Sequence, residues 1–187
     1  DQKKDYLFDL EKQDGYFPLC SENAKGYSVK DLKEFYHIYS WGRYPETMGV
    51  NTKNLYLQLC SFAEELLNWV EDNTPSEISG KFSMPLSQMV HESPRNLLRV
   101  IHYPALMGNE EPDAIRAAAH EDINLLTILV AGTEPGLQVQ NVHGKWYDVA
   151  CNPGTLAVNI GDMLQMASDG YYPSTTHQVI NPESASH

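Results

Sequence analysis

The sequence predicts a mainly β protein with flanking helices, of the sandwich or jelly-roll kind, and three observations carry that reading. Beyond residue 97, short apolar runs rich in Val, Ile, Leu and Thr follow one another. Turn signals at Asn141 to Gly144, Asn152 to Gly154, Gly161-Asp162 and Asp169-Gly170 separate them, as antiparallel strands require. Roughly five strands in about 90 residues suit two packed sheets, whereas the stretch before residue 97 has apolar residues at helical spacing.

Taken in order, "SVKDLKEFYHIYS" (28–40) predicts a helix, with Ser28 as N-cap and Leu32, Phe35, Tyr36 and Tyr39 on one face. "NTKNLYLQLCSFAEELLNWVED" (51–72) predicts a longer one, with Leu55, Leu59, Phe62, Leu66 and Val70 as its buried stripe. "SMPLSQMV" (83–90) suggests a short third helix with Pro85 near its first turn. The period then changes. "NLLRVIHYP" reads as a strand, and the loop "MGNEEPD" leads to "AAHEDINLLTILV", "GLQVQNVHGKWYDVA", "TLAVNIGDMLQMAS" and "TTHQVIN", each taken as β-structure. The division is therefore a mainly helical part over 1–96 and a β core over 97–187, within one domain, which is what 187 residues favour.

Composition narrows the function classes. Thirteen basic against twenty-five acidic side chains give −12 at pH 7, which disfavours nucleic acid as a general partner and leaves a small-molecule substrate or a peptide. The three cysteines, Cys20, Cys60 and Cys151, are scattered and lack a CxxC, which fits reduced thiols and a cytoplasmic setting. The longest apolar run, "LLTILVA", is far short of the roughly 20 residues a membrane helix needs, so no membrane association is expected.

The chemistry concentrates at the entrance of "HEDINLLTILV". On a strand, residues i and i+2 share a face, so His120 and Asp122 are expected to project together with Glu121 turned away. His177, 55 residues on at the start of another strand, supplies a third ligand type. Two imidazoles and a carboxylate on one side of a metal are the arrangement of non-haem Fe(II) oxygenases. Other motifs carry less. "HESPR" (91–95) lacks the second His of a zinc protease helix and contains Pro94. His102, facing opposite Tyr103, is expected at the surface or in a pocket wall and not as a ligand, while His37 and His143 are given structural or solvated roles in a helix and a turn. Gln165, Met163 and Met166 are candidates for a pocket wall, with core packing the alternative for the two methionines.

The segments "LLRVIHYPAL", "RAAAHEDINLLTILV", "PGLQVQNVHGKWYDV" and "NPGTLAVNIGDMLQMASDGYYPSTTHQVINP" occur in an order that resembles the isopenicillin N synthase-like family of Fe(II)- and 2-oxoglutarate-dependent oxygenases. The resemblance covers about residues 97–183 closely and the first 96 more loosely. It implies a double-stranded β-helix, or jelly roll. It also implies His120, Asp122 and His177 as both the metal ligands and the catalytic centre, Fe(II) as cofactor, and 2-oxoglutarate and O2 as cosubstrates. The activity so implied is a dioxygenase that oxidises a substrate C–H bond while 2-oxoglutarate becomes succinate and CO2. Tyr103 falls on the family's Tyr-Pro motif, which implies a phenol bound to the distal carboxylate of 2-oxoglutarate. Three departures accompany it: Ile101 stands where many plant members have Asn, Gln178 follows the distal His in place of Arg, and the family's Arg-x-Ser clamp has no counterpart before "PESASH". The missing clamp, together with the absence of the family's first strands ahead of the region that matches residue 1, points to a chain incomplete at both ends, with a truncated, inactive relative as the alternative. An oxidase of the same fold that needs no 2-oxoglutarate and a non-catalytic jelly-roll binding protein are the alternative functions.

Overall fold

The structure is a computed structural model, and it describes residues 2–24 and 26–182. The elements run α1 (Gln2–Asp5), β1 (Gly15–Phe17), β2 (Glu34–Ile38), α2 (Gly49–Asp72), α3 (Ser76–Ser79), α4 (Leu86–Val90) and β3 (Leu98–His102). They continue with β4 (Ala117–His120), β5 (Leu126–Val130), β6 (Leu137–Gln140), β7 (Trp146–Asp148), β8 (Leu156–Ile160), α5 (Asp162–Ala167) and β9 (His177–Val179). The chain is thus mainly β with few helices, and it divides into two compact units. No helix among the described residues is long and apolar enough to cross a membrane.

The first unit holds residues 1–17, 35–100 and 167–171. Its sheet has the order β1-β2-β3, with β1 antiparallel to β2. The helix expected over 28–40 is absent: residues 34–38 form β2, and Phe35, Tyr36, His37 and Ile38 are all buried. A strand buried on both faces shows no alternation, and its aromatic run happened to fit a helical spacing. His37 is accordingly a core histidine on a strand. Its Nδ1–H donates to the Gln13 carbonyl (2.8 Å) and its Nε2 accepts from Arg99 Nε (2.8 Å). Phe17 stacks on Phe35 at 4.5 Å between ring centres.

Helix α2 starts two residues earlier than its expected range, and its buried face is rotated. Leu55 is exposed, whereas Leu67 is fully buried and Tyr56 and Cys60 are partly so. Helix α4 follows Pro85, whose missing N–H costs nothing at a helix start. "HESPR" lies beyond its end, with His91 Nδ1 3.2 Å from Glu64 Oε2.

The second unit holds residues 18–34, 101–166 and 172–187, and its strands form two antiparallel sheets, β4-β9-β6-β7 and β5-β8. "AAHEDINLLTILV" is therefore two strands in two sheets, with a tight loop over 121–125. "GDMLQMA" is helix α5 and not a strand: Asp162 favours a first turn, straight-chained Met, Leu and Gln favour the helix, and Leu164 is fully buried. The turns expected at 141–144 and 152–154 separate β6 from β7 and β7 from β8.

Within the first unit, Asp14 is 1% exposed and takes Arg43 Nε and Nη2 (3.1 Å each) and the Arg43 backbone N–H (2.8 Å). Burial by itself raises the Asp14 carboxyl, but the Arg43 hydrogen bonds outweigh it and hold it below the ordinary 3.8. The stability contributed is therefore present above about pH 4 and lost as pH falls through the lowered value. Because the Arg43 side chain is partly exposed, Asp14→Ala is expected to cost about 2–3 kcal/mol in urea unfolding at pH 7. That deficit should narrow below pH 4.

Candidate metal centre

Strands β4 and β9 are antiparallel, with Ala117 opposite Val179 and His120 opposite His177. Three steps along β4 thus match two along β9, a bulge that turns the end of β4. The pairing brings the two imidazole rings to 4.3 Å between centres at 50°. Each ring is fixed the same way. His120 Nδ1–H donates to the Ala118 carbonyl (2.8 Å) and His177 Nδ1–H to the Thr175 carbonyl (2.9 Å). A carbonyl only accepts, so the neutral ring carries its proton on Nδ1 and leaves the Nε2 lone pair for another partner.

Asp122 reaches the rings from the loop past β4, not from the strand face the sequence suggested. Its Oδ1 lies 3.9 Å from His120 Nε2 and its Oδ2 3.8 Å from His177 Nε2. Oδ2 accepts from Thr127 Oγ1 (2.6 Å) and Asn159 Nδ2 (3.0 Å). Thr127 on β5 and Asn159 on β8 are cross-strand partners, so one sheet holds the imidazoles and the other holds the carboxylate. Asn124 Nδ2 donates to Thr127 Oγ1 (2.8 Å), which aims the Thr127 proton at Asp122.

The loop itself is clamped by the start of α5. The Asp162 N–H donates to the Asp122 carbonyl (2.7 Å), Met163 N–H to the Asn124 carbonyl (3.1 Å) and Gly161 N–H to the Leu125 carbonyl (3.2 Å). A Cβ on Gly161 would stand 2.7 Å from the Asp122 carbonyl oxygen and would overlap the Asn124 carbonyl. Only glycine allows this approach.

Electrostatics suit a cation. Burial first, and then the His177 ring, press His120 below its ordinary 6.5. For Asp122, burial pushes the carboxyl up. The Asn159 and Thr127 hydrogen bonds, with the two histidines, more than offset it and hold the group below 3.8. The result is a carboxylate beside two imidazoles whose nitrogen and oxygen ligand atoms all lie within 4.8 Å of one another. Two nitrogens and one anionic oxygen at this spacing fit a divalent first-row metal and leave its other positions open.

Tyr103 follows β3, half-buried, with the Arg116 guanidinium 5.8 Å from its ring centre. His102 is exposed and pairs with Glu34 (2.8 Å). Gln165 is committed to the Ser174 N–H (2.7 Å), and Gln178 donates to Gln138 Oε1 (2.8 Å). Sequence reasoning missed Thr127, Asn124 and Asn159, which sit at no fixed spacing from Asp122. It read Gly161 only as a turn.

The 2OG-Fe(II) oxygenase superfamily model matches residues 94–187. Homoarginine-6-hydroxylase 2-ODD-C23 of Glycine max is 33% identical over 153 residues, covering 77% of this chain and 44% of that protein. Among solved structures, a Shewanella oneidensis protein is 50% identical with a TM-score of 0.86, over 99% of this chain and 66% of that one. A full-length Neurospora crassa protein, solved in complex with alpha-KG, is 24% identical with a TM-score of 0.70, over 94% of this chain and 58% of that one, and shares the fold. The chain spans less than half the length of the curated relative and about two thirds of the first structure.

Two outcomes follow from this geometry. Gly161→Ala should lower stability by about 1–3 kcal/mol through the forced overlap, with amide shifts concentrated at Asp122 and Thr127; a variant of wild-type stability and spectrum would contradict the clamp. In the metal-free chain, NMR titration should give His120 a midpoint below 6.5. The unfolded chain takes up that proton first, so acidification through 6.5 should cost folding stability.

Proposed function

The chain belongs to the 2OG-Fe(II) oxygenase superfamily, and from that premise we propose that it carries the metal centre of a non-haem dioxygenase, with His120, Asp122 and His177 as ligands to Fe(II). The observation that carries this reading is the convergence of two Nε2 lone pairs and one carboxylate, each oriented by its own hydrogen bonds. When bound, the iron with 2-oxoglutarate and O2 supplies oxidation of a substrate C–H bond coupled to release of succinate and CO2.

The chain's own residues hold and orient. Asp122 Oδ2 is occupied by two donors, so Oδ1 is the oxygen offered to the ion. His120 and His177 each commit Nδ1–H to a backbone carbonyl, so Nε2 is the nitrogen each ring turns to the ion. Tyr103 offers a phenolic donor to the distal carboxylate of 2-oxoglutarate without adding a charge that competes with the metal. The substrate is a small molecule, in keeping with the net charge of −12, and the reaction is hydroxylation, desaturation or ring closure.

The fold we assign is the jelly roll. Support comes from the order in which the chain alternates between sheets: β4 in one, β5 in the other, β6 and β7 in the first, β8 in the second and β9 in the first. The chain passes between the two compact units five times, which supports one domain built from both. Three free cysteines favour a reducing, cytoplasmic setting.

Anaerobic titration of the full-length protein with Fe(II) and then 2-oxoglutarate should give the weak visible charge-transfer band of the chelate. His177→Ala and Asp122→Ala should each abolish it. Iron binding without the band would favour the oxidase, and absence of iron binding a non-catalytic module. Tyr103→Phe should weaken 2-oxoglutarate roughly tenfold, the equivalent of about 1.4 kcal/mol, while iron affinity stays unchanged.

A further inference from the structure

Residues 18–34 belong to the same compact unit as the candidate centre, and they contain two buried charges that the proposed function leaves unexplained. Asp31 is 3% exposed and Lys33 is 5% exposed. Lys33 Nζ lies 2.8 Å from Asp31 Oδ2 and 2.9 Å from Glu22 Oε2. The other oxygen, Asp31 Oδ1, accepts from the Ala118 backbone N–H at 3.0 Å. Backbone bonds hold the segment in place, from Asp31 N–H to the Glu22 carbonyl (3.0 Å) and from Leu32 N–H to the Ile115 carbonyl (2.9 Å).

Ala118 lies inside the bulge of β4, where the ladder to β9 is interrupted, and it is itself buried. A bulge leaves backbone groups without a ladder partner, and a buried one must find another. Both polar groups of Ala118 find theirs outside the ladder. Its N–H goes to Asp31, and its carbonyl accepts the Nδ1–H of His120 (2.8 Å). The two groups flank one Cα, so anchoring the first restricts where the second can point.

We propose that Asp31, charge-balanced by Lys33, is a positioning residue of the metal centre: it anchors the bulge residue Ala118, whose carbonyl sets the tautomer and direction of His120. The proposal rests on reading the triad as a metal site. A carboxylate gives a charge-assisted bond to the N–H, and Lys33 makes that charge tolerable in the interior. His177 is oriented from its own strand entrance, its Nδ1–H donating to the Thr175 carbonyl (2.9 Å).

Two double variants of the full-length protein isolate the bond while removing both charges together. Asp31→Asn with Lys33→Met keeps an acceptor for Ala118, and Asp31→Leu with Lys33→Met removes it. Anaerobic Co(II) titration should find the first close to wild type and the second about 10- to 100-fold weaker. In the metal-free proteins, nitrogen NMR should show His120 leaving its single Nδ1–H tautomer in the leucine variant, with His177 unchanged. Wild-type Co(II) affinity and an unchanged His120 tautomer in the leucine variant would overturn the proposal, as would equal disturbance of both histidines. Should the leucine variant fail to fold, Asp31→Ala with Lys33→Met is read in the same way. If the wild type takes no Co(II), the metal reading fails, and the tautomer comparison still decides whether Asp31 sets His120.

Discussion

The pairing of His120 with His177 across a bulged antiparallel ladder is the constraint on which the rest of the candidate centre depends. Regular strands would carry the two imidazoles on one face and continue past them. The bulge instead ends β4 at His120 and sends the chain into a tight loop, so Asp122 returns toward both rings from a different direction. The carboxylate then meets the second sheet, where Thr127 and Asn159 face each other across β5 and β8 and both hold its Oδ2. Two cross-strand pairs, one from each sheet, therefore define the site.

Such an arrangement partly shields several polar groups from water, and each has a named partner. The imidazoles donate to carbonyls two residues back, the carboxylate accepts from a hydroxyl and an amide, and the loop carbonyls accept from the start of α5. Gly161 makes the last of these geometrically possible, since no side chain fits between its Cα and the Asp122 carbonyl. Satisfying these groups also fixes their orientation, and oriented ligands are what an open-sided metal site requires.

The sequence was legible where a local rule had one solution. The turns at Asn141 to Gly144 and Asn152 to Gly154 have backbone needs that few residues meet, and the helix over 49–72 is long enough for its period to dominate. Reading failed where burial on both sides erased the period, as in Phe35 to Ile38, and where a short segment had too few residues to distinguish helix from strand, as in α5. The same division holds at the site. His120, Asp122 and His177 could be named from residue type, spacing and resemblance. Thr127, Asn159, Asp31 and Lys33 could not, because what joins them to the centre is tertiary contact at separations that follow no motif. Asp122 reaches the two rings by a route the spacing did not suggest: a loop places it, not the alternation of a strand.

His120, Asp122 and His177 are proposed to hold one ion together. A crystal of the full-length protein soaked anaerobically with Fe(II) and measured at the iron absorption edge tests it most directly. One strong anomalous peak is expected at bonding distance from His120 Nε2, His177 Nε2 and Asp122 Oδ1, with Oδ2 still bound to Thr127 and Asn159. A peak elsewhere, or one that lacks any of the three ligands, would contradict it.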